Sequence, residues 1–406
     1  MTGIRSGELF AGVGGLGMAV DEVFGATPAW FAEFDTAPSK VLAHRHPDVP
    51  NYGDVTNLSH PERVQILAGG FPCQDVSLAG ARRGMKDGTR SGLWSEYARI
   101  IDEVRPDWVV IENVRGLISA RADSEMERCT WCVGDGDDEY HLRALDAVLA
   151  DLSRLGFDAE WTGLRAADIG APHGRFRVFI LAWPSARTRD VAGGEVRTRE
   201  GSAFGGKSAD LTLLPTPVAQ PSGNTPEDHL RKKPGREVVT DLAIIAENGL
   251  IGSGGRLLPT PGAYDGERGG SQHPDKRRAG NHSVTLQDVA EHLEPVLTPE
   301  TAAGFIDWGP YAEAIARWEA VIGRPAPEPV RFDGKGGKPR LNPELTEWMM
   351  GWPAGHVTDP EIGLSRAEQL KACGNGVVPQ QAAAALRMML TLPGVPSIEA
   401  PGIENR

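Results

Sequence analysis

Short β-rich apolar runs alternate with helix-length segments from Gly3 to about Trp183, and this alternation limits the possible folds more than any other feature of the chain. IRSGELF is followed by a glycine-rich turn, LGMAVDEVFG and AWFAEFD; VQILAGGFP, RPDWVVIENV and RFRVFILAW follow, each separated by enough residues for a helix. Strands alternating with helices predict an α/β fold built on a parallel, doubly wound sheet, with ligands at the carboxyl ends of its strands. Residues 119–141 are acidic and irregular and are expected to form an inserted loop.

The chain of 406 residues is 40% hydrophobic and 24% charged, enough to bury a sizeable core. No run reaches the roughly 18 to 20 apolar residues of a membrane span, and the opening MTGIRSGELFAG does not resemble a secretory leader, so a cytoplasmic protein with no membrane partner is expected. Four cysteines are too few for a disulfide scaffold. The net charge of −13 opposes binding to nucleic acid, but residues 184–340 hold 20 Lys+Arg against 21 Asp+Glu, so nearly all the acidity belongs to the flanks. A nucleic-acid face in the middle is therefore permitted.

After Trp183 the composition shifts to Gly, Pro, Ser and Arg. LLPTP at 213–217 recurs 44 residues later at 257–261, and VLTP at 296–299 is a degraded third copy. The first two copies lead through basic loops, Arg231-Lys232-Lys233 and Lys276-Arg277-Arg278, into apolar helical tails. This pattern suggests a small domain with basic loops displayed on one side, suited to phosphate contact. Trp308, Tyr311, Ile315, Trp318 and Ile322 form one apolar stripe at helical spacing, which reads as packing. Regular structure resumes past Arg340 with ELTEWMMGWP and QQAAAALRMML. The expected organisation is a first domain over 1–183, a second domain over 184–340, and a return to the first over 341–395.

Gly12, Gly14 and Gly17 satisfy G-x-G-x-x-G directly after the first strand, with Glu33 and Asp35 about 20 residues on. The pattern fits a nicotinamide cofactor as well as any other adenosine-bearing one. Cys73 in GGFPCQ follows another strand, as Glu112 does in VVIENV, so thiol and carboxyl should emerge at the edge that carries the glycine turn. Arg175 and Arg177 lie two apart on an extended segment and should point to one face.

ELFAGVGG, GGFPCQ, VVIENV, the R-F-R of HGRFRV, WMMGWP and CGNGVVPQ resemble, in order, the motif set of the cytosine-C5 DNA methyltransferases. The resemblance covers 1–183 and 340–390, while 184–340 corresponds by position to that family's variable target-recognition region. It implies a Rossmann-like methyltransferase domain, S-adenosylmethionine as cofactor, double-stranded DNA as partner, a monomer and no metal. Phe10, Ala11, Gly12, Gly14, Gly15 and Pro72 would hold the cofactor, Glu33 its ribose, and Phe34, Asp54 and Val55 its adenine; Leu93, Asn375 and Val377 would also touch it. Cys73 would be the nucleophile, Glu112 the acid on the ring, Arg175 and Arg177 the pair holding the base, and Gln74 and Ser77 would face DNA. His173 stands where many members have Gln, and Glu8 where Asp is commoner.

The implied chemistry explains these residue types. C5 of cytosine is a poor nucleophile, so a thiolate adds to C6 and pushes electrons to C5. Charge builds at N3, where a carboxyl can donate, and arginines can donate to O2. A base inside a duplex cannot be reached, so it must be flipped out. Cys129 and Cys132 form one C-x-x-C, short of the four ligands of a zinc site. A catalytically silent DNA-binding protein on the same fold would not need Cys73, Glu112 and both arginines. The RNA-methylating branch would not need the long recognition region, and a nicotinamide dehydrogenase leaves PCQ and ENV unexplained.

Overall fold

The computed structural model describes residues 3–72, 93–119, 144–185, 256–266, 271–280, 282–293 and 306–398. Six strands form one sheet: β1 (Arg5–Leu9), β2 (Thr27–Ala32), β3 (Ile66–Gly69), β4 (Trp108–Val114), β5 (Phe157–Arg165) and β6 (Phe176–Pro184), in the order β2-β1-β3-β4-β6-β5. The first four are mutually parallel, as expected, but β6 runs antiparallel to both β4 and β5. An all-parallel sheet therefore does not hold. The reason is chain length: residues 166–175 between β5 and β6 are fewer than the dozen or more that a parallel crossover needs. β5 escapes the sequence pattern because it is an edge strand with mostly half-buried residues and no apolar run.

Alternation along the strands separates two cores. Leu67, Val109, Ile111, Val178 and Ile180 face helices α3 (Leu93–Val104) and α4 (Ala144–Arg154) on one side. Ile66, Ala68, Val110, Phe179 and Leu181 face α1 (Gly15–Phe24) and the C-terminal α10 (Pro379–Leu390) on the other. Helices on both faces give the Rossmann-like, doubly wound architecture. Burying about four Val, Leu or Ile side chains per face contributes on the order of 1.5–3 kcal/mol each. α2 (Thr36–Arg45) follows β2.

Later in the chain come α5 (Pro274–Ala279), α6 (Leu286–Ala290), α7 (Ala312–Ile322), α8 (Pro343–Met349) and α9 (Arg366–Asn375), and a single helical turn, Gly116–Ser119, follows β4. Trp308, Tyr311, Ile315 and Trp318 are buried against Trp348, Met349 and Trp352, with Ile322 packed at the margin, so the apolar stripe is packing. Lys276-Arg277-Arg278 lies in α5 rather than in a loop: Pro274 starts the helix and His273 caps it. The apolar tail that follows is helical only over Leu286–Ala290, capped reciprocally by Thr285 and Asp288. Among the described residues no helix is long and apolar enough to cross a membrane.

Candidate active site

The carboxyl ends of β1, β3 and β4 converge on one edge, and the antiparallel sense of β6 brings its amino end to that same edge. Glu112 and Asn113 of β4 pair in register with Phe179 and Val178, and Val114 with Arg177. This is how Arg177 and Glu112 meet: Arg177 Nε lies 2.5 Å from Glu112 Oε1, with both side chains largely buried. Such a short, poorly solvated ion pair fixes both side chains.

The strand before Cys73 is held against this pair. Asn113 Nδ2 donates to the Phe71 carbonyl at 3.1 Å. Gly70 passes so close to Glu112 that a Cβ there would stand 2.8 Å from Oε2. The backbone is thereby led to Pro72 beside the carboxyl. Cys73 itself, with Gln74 and Ser77, lies outside the described residues, as do Arg231, Lys232, Lys233, Cys129 and Cys132.

Arg175 does not join Glu112. It is 5% exposed, and its guanidinium donates to the carbonyls of Gly374 at 3.0 Å and Gly376 at 2.6 Å, respectively within and just past the end of α9. Burial, then neighbouring Arg177, push its pKa well below the ordinary arginine range. The two arginines therefore divide: Arg177 turns to the acid and Arg175 braces the C-terminal turn. His173 is fully buried, with Nε2 3.1 Å from the Met349 carbonyl and Nδ1 3.4 Å from the Arg175 amide. Burial pushes its pKa down to about 3, so it is neutral, with the tautomer set by these neighbours. Cys373 is packed beside this turn, and burial raises its thiol to about 12.

A cavity of about 240 Å³ opens between the glycine-rich turn, the start of α2 and the end of α9, with Gly12, Val13, Asp35, Thr36, Lys371 and Asn375 among its walls. Phe10 bends the chain into it with φ of 53°, a left-handed value uncommon away from glycine, and its amide donates to Ala32. Glu33 Oε2 accepts from Gly12 N and Oε1 from Asp35 N, both at 2.7 Å, so the acid stitches β2 to the turn. Burial raises its pKa despite these bonds. Phe34 next to it is 74% exposed. A Cβ on Gly15 would stand 2.6 Å from the Val377 carbonyl, which joins the turn to the chain after Asn375.

Of the other expected cofactor residues, Ala11 and Val55 are buried in core clusters and Gly14 faces a different cavity. Asp54 caps the turn at Val55–Asn57 by accepting from Thr56 N. Leu93 opens α3 and packs on the core beside it. Thr36 and Lys371 went unnoticed in the sequence. The first could be sought where a helix starts after a strand; the second has no local signal.

The second LLPTP copy belongs to this edge. Leu258 N donates to the Pro172 carbonyl at 2.7 Å, and a Cβ on Gly374 would come within 2.1 Å of Ala263 N. The basic triplet downstream is partly spent: Arg277 lies 3.0 Å from buried Asp288 and Arg278 2.7 Å from Asp275.

Residues 4–191 match the family model described as C-5 cytosine-specific DNA methylase. The Type II methyltransferase M.CviJI of Paramecium bursaria Chlorella virus IL3A is 31% identical over 181 residues, 44% of this chain and 42% of its own. M.NlaIV of Neisseria lactamica is 30% identical over 187 residues, 44% of this chain and 41% of its own. A DNA N-6-adenine-methyltransferase of Escherichia phage P1 is 42% identical over 113 residues, 24% of this chain and 15% of its own. The chain thus spans about two fifths, or less, of the length of these curated relatives.

Proposed function

We propose that this protein methylates C5 of a cytosine in a specific double-stranded DNA sequence, with S-adenosylmethionine as methyl donor, a reading supported by the match of residues 4–191, a little under half of the chain, to the C-5 cytosine-specific DNA methylase model. The observation that carries this reading is the Glu112–Arg177 pair held against Gly70–Pro72, the residues leading directly to Cys73. The cavity at the glycine-rich turn fits the cofactor: it offers backbone at Gly12, a carboxylate at Asp35 and the Asn375 amide, with the exposed ring of Phe34 next to Asp35 in the chain. S-adenosylmethionine bound there supplies the methyl group.

The chain's own residues do the rest. The Cys73 thiolate adds to C6 of the flipped base and opens C5 to methylation; solvent water then takes the C5 proton, the C5–C6 double bond re-forms and the thiolate leaves. A proton taken up from solvent passes from Glu112 to N3 as charge builds there, and Arg177 fixes the carboxyl in place. Arg175 positions the edge through Gly374 and Gly376 instead of holding the base itself. Residues 1–183 and 341–395 act as the catalytic unit, and 184–340 reads DNA, except that its segment 256–266 packs on the catalytic edge. Phosphate contact falls to Arg231, Lys232, Lys233 and Lys276. An exocyclic amine as acceptor, the chemistry in the name of the phage P1 relative, would leave Cys73 and the Glu112–Arg177 pair without a task.

The test is to incubate the protein with S-adenosylmethionine and plasmid DNA and to map 5-methylcytosine at single-base resolution. Methylation of one cytosine within one short sequence is expected. Modification confined to adenine, or none on DNA but activity on RNA, would overturn the reading.

A further inference from the structure

A second cavity, also about 240 Å³, lies on the other side of the glycine-rich turn, between β1, β2, α1, the end of α2 and the loop at 353–356. Its size far exceeds the ~30 Å³ share of one water molecule. Two carboxyls form its polar wall. Glu8, 4% exposed, accepts from Gly17 N through Oε1, while Oε2 is buried with no partner. Asp21, one turn beyond Gly17 on α1, likewise has a buried Oδ1 with no partner. Buried acceptors without donors cost about 1–3 kcal/mol each, so the cavity is incomplete as it stands.

The cations at its margin do not complete it. The Arg45 guanidinium donates to the His356 and Gly355 carbonyls and lies 3.6 Å from Asp359. His356 Nε2 bonds the Val13 carbonyl at 2.7 Å, and the His46 ring packs on Phe31 with centroids 5.3 Å apart. The other walls are apolar: Met18, Pro28, Phe31, Pro353 and Ala354. We propose that this cavity is a ligand site for a small aliphatic ammonium compound, and that its occupancy tightens cofactor binding across the turn. A primary ammonium carries three donors for the free carboxyl oxygens, and its hydrocarbon body suits the apolar walls and the Phe31 ring. A bare metal ion finds too few oxygens here, since hard cations take six or more. The His356–Val13 bond and Gly14 join this cavity to the walls of the first, which gives the coupling its route.

Protonation fits the same picture. Burial pushes Glu8 up to about 8, with neighbouring Asp21 and Glu33 adding to the cost of charging it, and burial pushes Asp21 up to about 6. The other titratable groups facing this cavity are Arg45, His46 and His356 along its walls, with Glu33 and Tyr97 close to Glu8. An entering ammonium therefore releases a proton from Glu8, and binding strengthens from pH 6 to 8.

The binding half of this inference is independent of the proposed activity; the coupling half rests on it. The experiment measures melting of the full chain with 1,4-diaminobutane and with potassium chloride at matched ionic strength, for wild type, Asp21→Asn and Glu8→Gln. The diamine should raise the wild-type melting temperature by about 2 °C or more, and each variant should lose that gain. Asp21→Asn serves if Glu8→Gln fails to fold. An equal gain with potassium, no gain, or a gain kept by Asp21→Asn would overturn the site. S-adenosylmethionine titrations with and without diamine test the coupling, with a change of about fivefold expected and an unchanged affinity refuting it. If the cofactor does not bind at all while the diamine gain persists, the proposed activity fails and the ligand site survives.

Discussion

Gly70→Ala tests whether the position of Glu112 governs the rate. The new Cβ would lie 2.8 Å from Glu112 Oε2 and 3.4 Å from the Glu112 carbonyl oxygen. Gly70 does not have a left-handed φ, so alanine is tolerated by the backbone and the clash is the whole perturbation. To relax the contact from 2.8 to 3.4 Å the carboxyl must retreat by about 0.6 Å. It cannot do so without disturbing its 2.5 Å contact with Arg177. Misplacement of about 1 Å can lower a rate by 10², so a slowing of about 10- to 100-fold is expected, or roughly 1.4–2.7 kcal/mol of barrier. Overpacking should cost about 1–3 kcal/mol of stability, which a melting curve measures separately. The assay is single-turnover transfer of labelled methyl groups to DNA at saturating cofactor. Glu112→Gln and the double variant complete a cycle in which the two losses should be far from additive, because both act on one carboxyl. Wild-type rate in Gly70→Ala, or additive losses, would refute the reasoning.

Cys73→Ala should abolish methylation while leaving the melting temperature and cofactor affinity near wild type, as read by methyl incorporation and calorimetry. Glu112→Gln alone should slow methyl transfer by about 10² or more in the same single-turnover assay. Replacing Lys276 with Ser, or the triplet Arg231-Lys232-Lys233 with Ser, should flatten the dependence of log affinity on log salt by roughly 0.9 per lost contact, on cognate and unrelated duplexes alike. Replacing Arg277 should show instead as lost stability, because it pairs with buried Asp288. His173, held near a pKa of 3, binds no proton in the folded chain while the unfolded chain takes one up below about 6.5. Folding stability therefore falls as pH drops from 6.5 toward 3, and His173→Gln should lose less over that range in denaturant titrations.

Local patterns in the sequence were enough for the strands and motifs that contribute one contiguous signal. The apolar runs at β1, β3, β4 and β6, the glycine turn after β1, and the Trp308–Ile322 stripe are all read from near neighbours, because strand and helix periods are short. Glu112 and Arg177 could be named from their motifs, yet their meeting depended on β6 running backwards. That direction followed from β5, an edge strand without an apolar run, and from the short link after it. Arg175 could not be separated from Arg177 by spacing, since its partners, Gly374 and Gly376, lie about 200 residues away in the chain. The same holds for Lys371 in the cavity at the glycine-rich turn and for Glu8 and Asp21 in the second one. The basic run at 276–278 looked like a loop because charge carries no period, and its capping by His273 and its pairing with Asp288 decided the helix. Sequence determines what neighbours along the chain must become, because propensity and alternation act over a few residues. Which distant groups share a buried site is decided only when packing closes the sheet edge over them.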